Sequence, residues 1–383
     1  MKSIHRYTLL LLMAVIIAGL YSCTEEESGG SPMIGYIRVT KPESSDSLVS
    51  AAGQGQMVAI IGENLENVVR LFFNDQGASL DPSFITSTSV ITRVPSRIPT
   101  DITNQMTMVF RNGDSLKYDF TVDISAPQID RFKSEYVNDG DVAVIYGDYF
   151  YEPVEVTFEG GIVAEILSVE SDEIQVRVPT GAQSGPVSVA SNFGLTKSGV
   201  YFRDDRNIIA SFDGTFNGMW RGTDFVVSSD ADIANIAGDF IRVNRGAQGA
   251  YPYIEVYGGP AESDTNLETR NIPADAFTNP DGYTLKFELN TLETFVGATM
   301  RLYLGDADGT EFGDARNDIY YPWESNVDTK GEWQTISIPW VDVYEANQSF
   351  PYNAAGYGMY IYFHGANPAI YNIGMDNFRV VPN

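Results

Sequence analysis

The pattern that most restricts this chain is one it carries twice. Met57-Val58-Ala59-Ile60-Ile61-Gly62-Glu63-Asn64-Leu65 is answered about 85 residues later by Val142-Ala143-Val144-Ile145-Tyr146-Gly147-Asp148-Tyr149-Phe150. Each copy is an apolar, β-branched run, then a glycine, then an apolar residue three positions on. The register persists on both sides. Pro32-Met33-Ile34 matches Pro127-Gln128-Ile129, Val69-Arg70-Leu71-Phe72-Phe73 matches Val154-Glu155-Val156-Thr157-Phe158, and Arg93-Val94-Pro95 matches Arg177-Val178-Pro179. A unit of roughly 80–95 residues built this way holds about seven strands in two packed sheets. Turn pairs such as Asn112-Gly113, Asp139-Gly140, Asp281-Gly282 and Asp308-Gly309 separate the runs. No window of helical length shows a capped 3.6-residue period. The expected fold class is all-β: two tandem sandwiches over 32–125 and 126–204, then a larger β-sandwich over 205–383.

Ahead of the repeats, Lys2, His5 and Arg6 precede the apolar run Leu9–Leu20, which is too short to span a membrane and reads as an export signal over 1–22. Its end, Leu20-Tyr21-Ser22-Cys23, resembles the lipobox of bacterial lipoproteins, which implies cleavage before Cys23 and acylation of its thiol. Thr24-Glu25-Glu26-Glu27-Ser28-Gly29-Gly30-Ser31 follows as a flexible tether over 23–31. Its acidic triplet resembles the surface-export signal of Bacteroidota lipoproteins, so the expected location is the outer membrane, lipid-anchored and facing the cell exterior.

Composition then removes function classes. Lys plus Arg number 24 against 51 Asp plus Glu, a formal net charge of −27 that repels phosphate backbones and argues against nucleic acid as a partner. Cys23 is the only cysteine, so the folded part has no disulfide, thiolate metal site or cysteine nucleophile. Of two histidines only His364 lies beyond the leader, which excludes multi-histidine zinc sites.

The chain changes character near Asp204-Asp205. All four Trp and 13 of the 22 Tyr lie beyond this point, so a ligand that stacks on rings belongs to the last region. Strand alternation assigns faces there. Even positions of Met300–Leu304 and of Gln334–Trp340 point inward, which puts Trp340 in the core; Trp333 opens a structural strand. Around Ile254 and Val256, which supply the buried face, Tyr251, Tyr253, Glu255 and Tyr257 share the opposite one. Met359, Ile361 and Phe363 pack inward while Tyr360, Tyr362 and His364 face out. Trp220, bracketed by Gly218 and Gly222, and Trp323, after Tyr320-Tyr321-Pro322, read as loop residues. Rings on an outward face suit a neutral pyranose, whose axial C–H groups rest on an indole or phenol with little ordering cost. Asp, Glu, Asn, Gln or Arg at the edges would meet the hydroxyls.

The repeats, with Pro-x-Ile, the apolar run ending Gly-x-x-Leu/Phe, Val-x-Phe and Val-Pro, resemble the IPT/TIG immunoglobulin-like domain, and the last region resembles jelly-roll carbohydrate-binding domains. A lipidated cysteine, tandem IPT/TIG domains and an aromatic-rich C-terminal sandwich together resemble the B-type surface glycan-binding proteins of Bacteroidota polysaccharide-utilisation systems. That resemblance implies a monomer that binds a neutral plant- or fungal-type polysaccharide, a β-glucan or xyloglucan-like polymer, beside a TonB-dependent transporter, with the repeats as spacers. It implies ligand contacts through Trp220, Tyr251 and Tyr253; the residue-level reading adds Tyr321 and Trp323.

Two other readings compete. A jelly-roll glycosidase needs two carboxylates at a set spacing. The laminarinase-type Glu-x-Asp-x-x-Glu is missing, so no catalytic residue is assigned. A surface adhesin for a protein partner is the other alternative. No cofactor is expected and no metal ligand is assigned. Gly305-Asp306-Ala307-Asp308-Gly309-Thr310-Glu311 fails EF-hand spacing and reads as a hairpin turn. Asp213 and Asp376, near the two ends of the last region, are the residues that could share a structural calcium.

Overall fold

The computed structural model describes residues 30–41, 47–213, 225–257, 272–305, 319–352, 354 and 358–383. The leader, Cys23 and Trp220 lie outside these, as does 306–318 with the Asp308-Gly309 turn. The chain divides into two compact units, one ending at Ile124 and one beginning at Ser125. Among the described residues the secondary structure is almost entirely strand, as expected, with short helical turns and the helix Trp340–Ala346.

In the first unit a three-stranded sheet orders Met33–Val39, Met57–Glu63 and Ser89–Arg93, and a four-stranded sheet is built on Val68–Phe73 and Gln105–Phe110. Ile37, Val58, Ile60, Leu71, Phe73, Met108 and Phe120 fill the space between them. The second repeat reproduces the arrangement. Val142–Asp148 pairs with Gln128–Phe132 on one side and Glu173–Arg177 on the other, over a core that includes Ile145, Phe158, Ile174, Val189 and Phe202.

The repeated glycine has a steric cause. A Cβ on Gly62 would lie 2.0 Å from the Met33 carbonyl oxygen, and one on Gly147 would lie 1.8 Å from that of Gln128. At both places the neighbouring strand is bulged, between Ile34 and Tyr36 and between Ile129 and Arg131. The chain then passes through positive φ at Asn64 (57°) or Tyr149 (61°) and turns Leu65 or Phe150 into the core, over the glycine.

Beyond the second repeat the second unit continues as a two-sheet sandwich. Among the described residues its strands are β1 (Ile208–Ala210), β2 (Val226–Val227), β3 (Phe240–Gln248), β4 (Ile254–Tyr257), β5 (Tyr283–Thr291), β6 (Phe295–Gly305), β7 (Tyr321–Val327), β8 (Gln334–Pro339), β9 (Gly358–Phe363) and β10 (Ala369–Pro382). One sheet runs β2-β3-β10-β5-β8, with β1 also on β10; the other runs β4-β9-β6-β7. Leu285, Phe287, Leu289, Ile373, Met375 and Phe378 from the first meet Ile254, Met300, Leu302, Ile361 and Phe363 from the second. Trp340 is fully buried, as alternation predicted, but on the first turn of the helix after β8, where its indole N–H donates to the Ala276 carbonyl at 3.1 Å.

The outer face of the larger sheet is joined to the second repeat by buried charges. Glu135, from the segment after Gln128–Phe132, accepts from Lys286 Nζ at 2.5 Å and from Arg379 Nη2 at 2.6 Å. Arg379 Nη2 also donates to Glu288 at 2.8 Å, and Glu288 accepts from the hydroxyls of Ser134 and Thr335, each at 2.9 Å. Backbone bonds close the seam: Glu135 N–H donates to Thr335 Oγ1 at 2.8 Å, and Thr335 N–H to the Lys133 carbonyl at 2.9 Å. Burial pushes the Glu288 carboxyl up, opposed by the Arg379 charge. The repeat and the sandwich are therefore one packed body rather than beads on a linker.

Two outcomes follow. Gly147→Ala should destabilise the second repeat by about 1–3 kcal/mol, because the new methyl meets backbone that cannot recede; a lowered denaturant midpoint with a soluble product is the readout. Glu135→Ala strips Lys286 of its carboxylate and Arg379 of one of two, and should cost about 3–5 kcal/mol. Glu135→Gln, which keeps the shape, should cost less in the same melts.

Candidate functional site

The larger sheet's outer face packs against the repeat, while the outer face of β4-β9-β6-β7 carries a cluster of aromatic and charged side chains. Cross-strand register lays out a row. Glu255 on β4 stands opposite Tyr362 on β9, Tyr362 opposite Arg301 on β6, and Arg301 opposite Pro322 on β7. Tyr303 and Tyr360 form a second pair beside it. All point away from the core because their neighbours Ile254, Met300, Leu302, Ile361 and Phe363 point into it.

The rings on this face touch. Tyr253 meets Tyr362 edge-on with centroids 5.0 Å apart, and Tyr362 stacks on His364 at 5.5 Å and 17°. Tyr251 meets the same imidazole at 5.1 Å in a tilted contact. It does so from outside the strand, at φ 57°, held by its N–H donating to the Gly365 carbonyl at 2.6 Å. The Arg301 guanidinium lies 4.5 Å from the ring centre of Tyr320 and 5.8 Å from that of Tyr362, and its Nη2 is 3.2 Å from His364 Nδ1. Thr299 Oγ1 donates to Glu324 at 3.0 Å at the β7 side. The outcome is an aromatic patch with one cation near its middle and carboxylates at its borders.

Its electrostatics favour neutral groups. Burial, with a smaller contribution from the Arg301 charge, holds the His364 imidazole below its ordinary range, so it is neutral at pH 7, and Nδ1 is the nitrogen able to accept from Arg301. Burial pushes the Tyr362 phenol up to about 12, which keeps its hydroxyl both donor and acceptor.

Tyr251 and Tyr253, singled out from the sequence, are 62% and 51% exposed and lie together on this patch. Two readings are corrected. Glu255 and Tyr360 face outward yet are buried, at 2% and 3% exposure, because alternation gives a side chain's face and not its depth. Tyr321 and Trp323 are not loop residues: β7 runs through them, and both pack against the sandwich core, Trp323 with its ring 5.7 Å from Phe287. Pro322 tolerates this because, among the described residues, β7 is an edge strand, where a missing N–H breaks no ladder on the open side. The same parity turns Tyr320, which the sequence reading left out, toward Arg301 on the outward face. Arg301, Tyr362 and His364 were likewise absent from the predicted contact set, although alternation in Met300–Leu304 and Met359–His364 marks them as outward. Trp220 lies outside the described residues.

Among the described residues no group of three or more acidic, histidine or cysteine side chains is arranged to hold a metal. Asp376 is fully buried, its Oδ1 accepting from the Asn377 N–H at 2.7 Å, and burial holds its carboxyl well above the usual range. Asp213 is exposed and accepts from the Asp239 N–H at 2.6 Å.

Comparison with known proteins places the fold and the C-terminal sandwich among glycan-binding relatives. Residues 202–382 match the family described as the surface glycan-binding protein B xyloglucan binding domain. The whole chain aligns with the whole of an IPT/TIG domain-containing protein of Bacteroides ovatus at 23% identity. The crystal structure of the surface glycan-binding protein PbSGBP-B from Prevotella bryantii superposes with a TM-score of 0.70 at 23% identity, covering 92% of this chain and 99% of that one. An SGBP-B from a complex xyloglucan utilization locus in Bacteroides uniformis gives a TM-score of 0.50 at 16% identity, covering 92% and 100%. The sandwich at the C-terminal end of this chain is thus the part that matches the surface glycan-binding protein B xyloglucan binding domain, and it follows two immunoglobulin-like repeats in the fold seen in the Prevotella bryantii protein.

Proposed function

We propose that this chain is a cell-surface lipoprotein that binds a neutral polysaccharide of the β-glucan or xyloglucan type on the outer face of β4-β9-β6-β7, holding it for degradation and uptake. The observation that carries the reading is the contiguous patch of Tyr251, Tyr253, Tyr362, His364 and Tyr320 around Arg301. Rings accept the C–H face of a pyranose, and the guanidinium, phenol and imidazole supply hydrogen bonds to its hydroxyls. The name of the matched family, and the xyloglucan utilization locus of the Bacteroides uniformis neighbour, support the same ligand class.

The chain acts as a binder and not as an enzyme. On this face the described carboxylates Glu255 and Glu324 sit on β4 and β7, the two edge strands, with β9 and β6 between them. At about 4.8 Å per strand their backbones are ~14 Å apart, with the positions of Tyr362 and Arg301 between them. Acylation of Cys23 supplies the anchor in the outer membrane, and a TonB-dependent transporter takes up what is captured.

Calorimetry with a xyloglucan oligosaccharide tests the platform. Tyr253→Ala and Tyr362→Ala should each lose about 1–3 kcal/mol, roughly 5- to 150-fold in affinity, with thermal melts confirming the fold. Trp220→Ala belongs in the series as the sequence-derived member of the same contact set. Because the ligand is uncharged and His364 is already neutral, affinity should stay flat between about pH 7 and pH 9 and from low to high salt. Undiminished binding by both tyrosine variants moves the site elsewhere. Separately, Cys23→Ala should shift the protein from the membrane to the soluble fraction; retention on the membrane refutes the lipid anchor.

A further inference from the structure

Where the second repeat meets the sandwich, a cleft of about 530 Å³ opens beside the buried ion pairs, within the roughly 300–1,000 Å³ range of small-molecule sites. One wall is the half-exposed indole of Trp333. Its edge rests against Phe240, with ring centroids 5.7 Å apart, and its N–H donates to the Ala234 carbonyl at 2.7 Å. The ring reaches so close to Gly374 that a Cβ there would lie 3.0 Å from it. Trp333 is thus fixed and its polar atom satisfied, so what it offers the cleft is apolar ring surface at small entropic cost. The opposite wall is the outward side of the second repeat, where Val142 and Val144 alternate with the core residues Ala143 and Ile145, and Gln175 stands beside Val144 in register. The amides of Asn138 and Asn235 edge the opening, joined by an Asn138 Nδ2 bond to the Asn235 carbonyl at 2.9 Å.

We infer that this cleft is a second carbohydrate site, taking a short segment of neutral glycan between Trp333 and the valines of the second repeat. The inference rests on the polysaccharide reading for its ligand class but not on the tyrosine platform. Three observations select that class. A tryptophan face with flanking amides matches a sugar's apolar and hydroxyl sides. Lys133 is already paired with Glu332 at the rim, and Asp141 adds another acid, so the described residues lining the cleft offer no spare cation for an anionic ligand. The walls are tied together by Glu135, Glu288, Lys286 and Arg379, so the space is held open before any ligand arrives. Since the platform lies on the opposite face of the sandwich, the two sites would grip separate stretches of polymer, and the second repeat would be half of a binding site rather than a spacer.

The test is an NMR titration of the ¹⁵N-labelled full ectodomain with millimolar cellotetraose, following the Trp333 indole signal assigned through Trp333→Phe. That signal should shift and saturate in the unaltered protein and in Tyr253→Ala/Tyr362→Ala, which removes platform rings. It should weaken at least tenfold in Val142→Arg, a substitution at a 43% exposed strand position that fills the cleft mouth and leaves calorimetric binding at the platform unchanged. A Trp333 signal that stays still, or one whose shift disappears in the double tyrosine variant, overturns the second site. The platform reading fails on a different result, calorimetric affinity unaffected by the double tyrosine substitution.

Discussion

Four charges closed off from water hold the functional half of this protein together. Glu135 belongs to the second repeat, while Lys286, Glu288 and Arg379 belong to the sandwich; no one of them would be stable where it lies without the others. Two carboxylates and two cations balance, and the hydroxyls of Ser134 and Thr335 take up further acceptor capacity on Glu288. Such a cluster adds little net stability over an apolar seam, but it demands one geometry. A greasy interface could slide, whereas a buried guanidinium shared between two carboxylates cannot.

That fixed seam decides how the sandwich uses its two faces. A β-sandwich has two outer faces and only one core. Here the face made by β3, β5, β8 and β10 is committed to the neighbouring repeat, through polar residues that alternate with core residues. The face of β4, β6, β7 and β9 is left with aromatic side chains that nothing in the core requires. Tyr251 and Tyr253, more than half exposed, would be poor choices for solvation alone.

Much of this was legible in the sequence, and the limits have physical causes. Gly62 and Gly147 are readable as a repeat because the same bulge imposes the same steric ban at both places. The outward set Tyr253, Tyr362 and His364 is readable because strand alternation is local. Pro322 misled, since a proline marks a loop as often as an edge strand, and only sheet order tells which; with it went the parity of Tyr320, Tyr321 and Trp323. The depth of Glu255 and Tyr360 was out of reach for a related reason: a residue's face is set by its neighbours in sequence, its burial by distant chain. The buried ion cluster was least visible of all. Glu135 and Arg379 are 244 positions apart, and each alone is one more charge on a highly charged chain.

The seam also changes where this protein can be cut. A piece starting at Asp205 would carry every aromatic residue of the platform, and the sequence invites that boundary. It would also lay bare Arg379, Glu288 and Lys286, residues between 0% and 7% exposed in the intact protein, with Glu135 gone. Water would have to solvate a surface shaped for a partner, and half of the cleft beside Trp333 would be missing. The compact unit that keeps both sides of the seam begins at Ser125. For anyone grafting this glycan-binding module onto another protein, the second repeat travels with it.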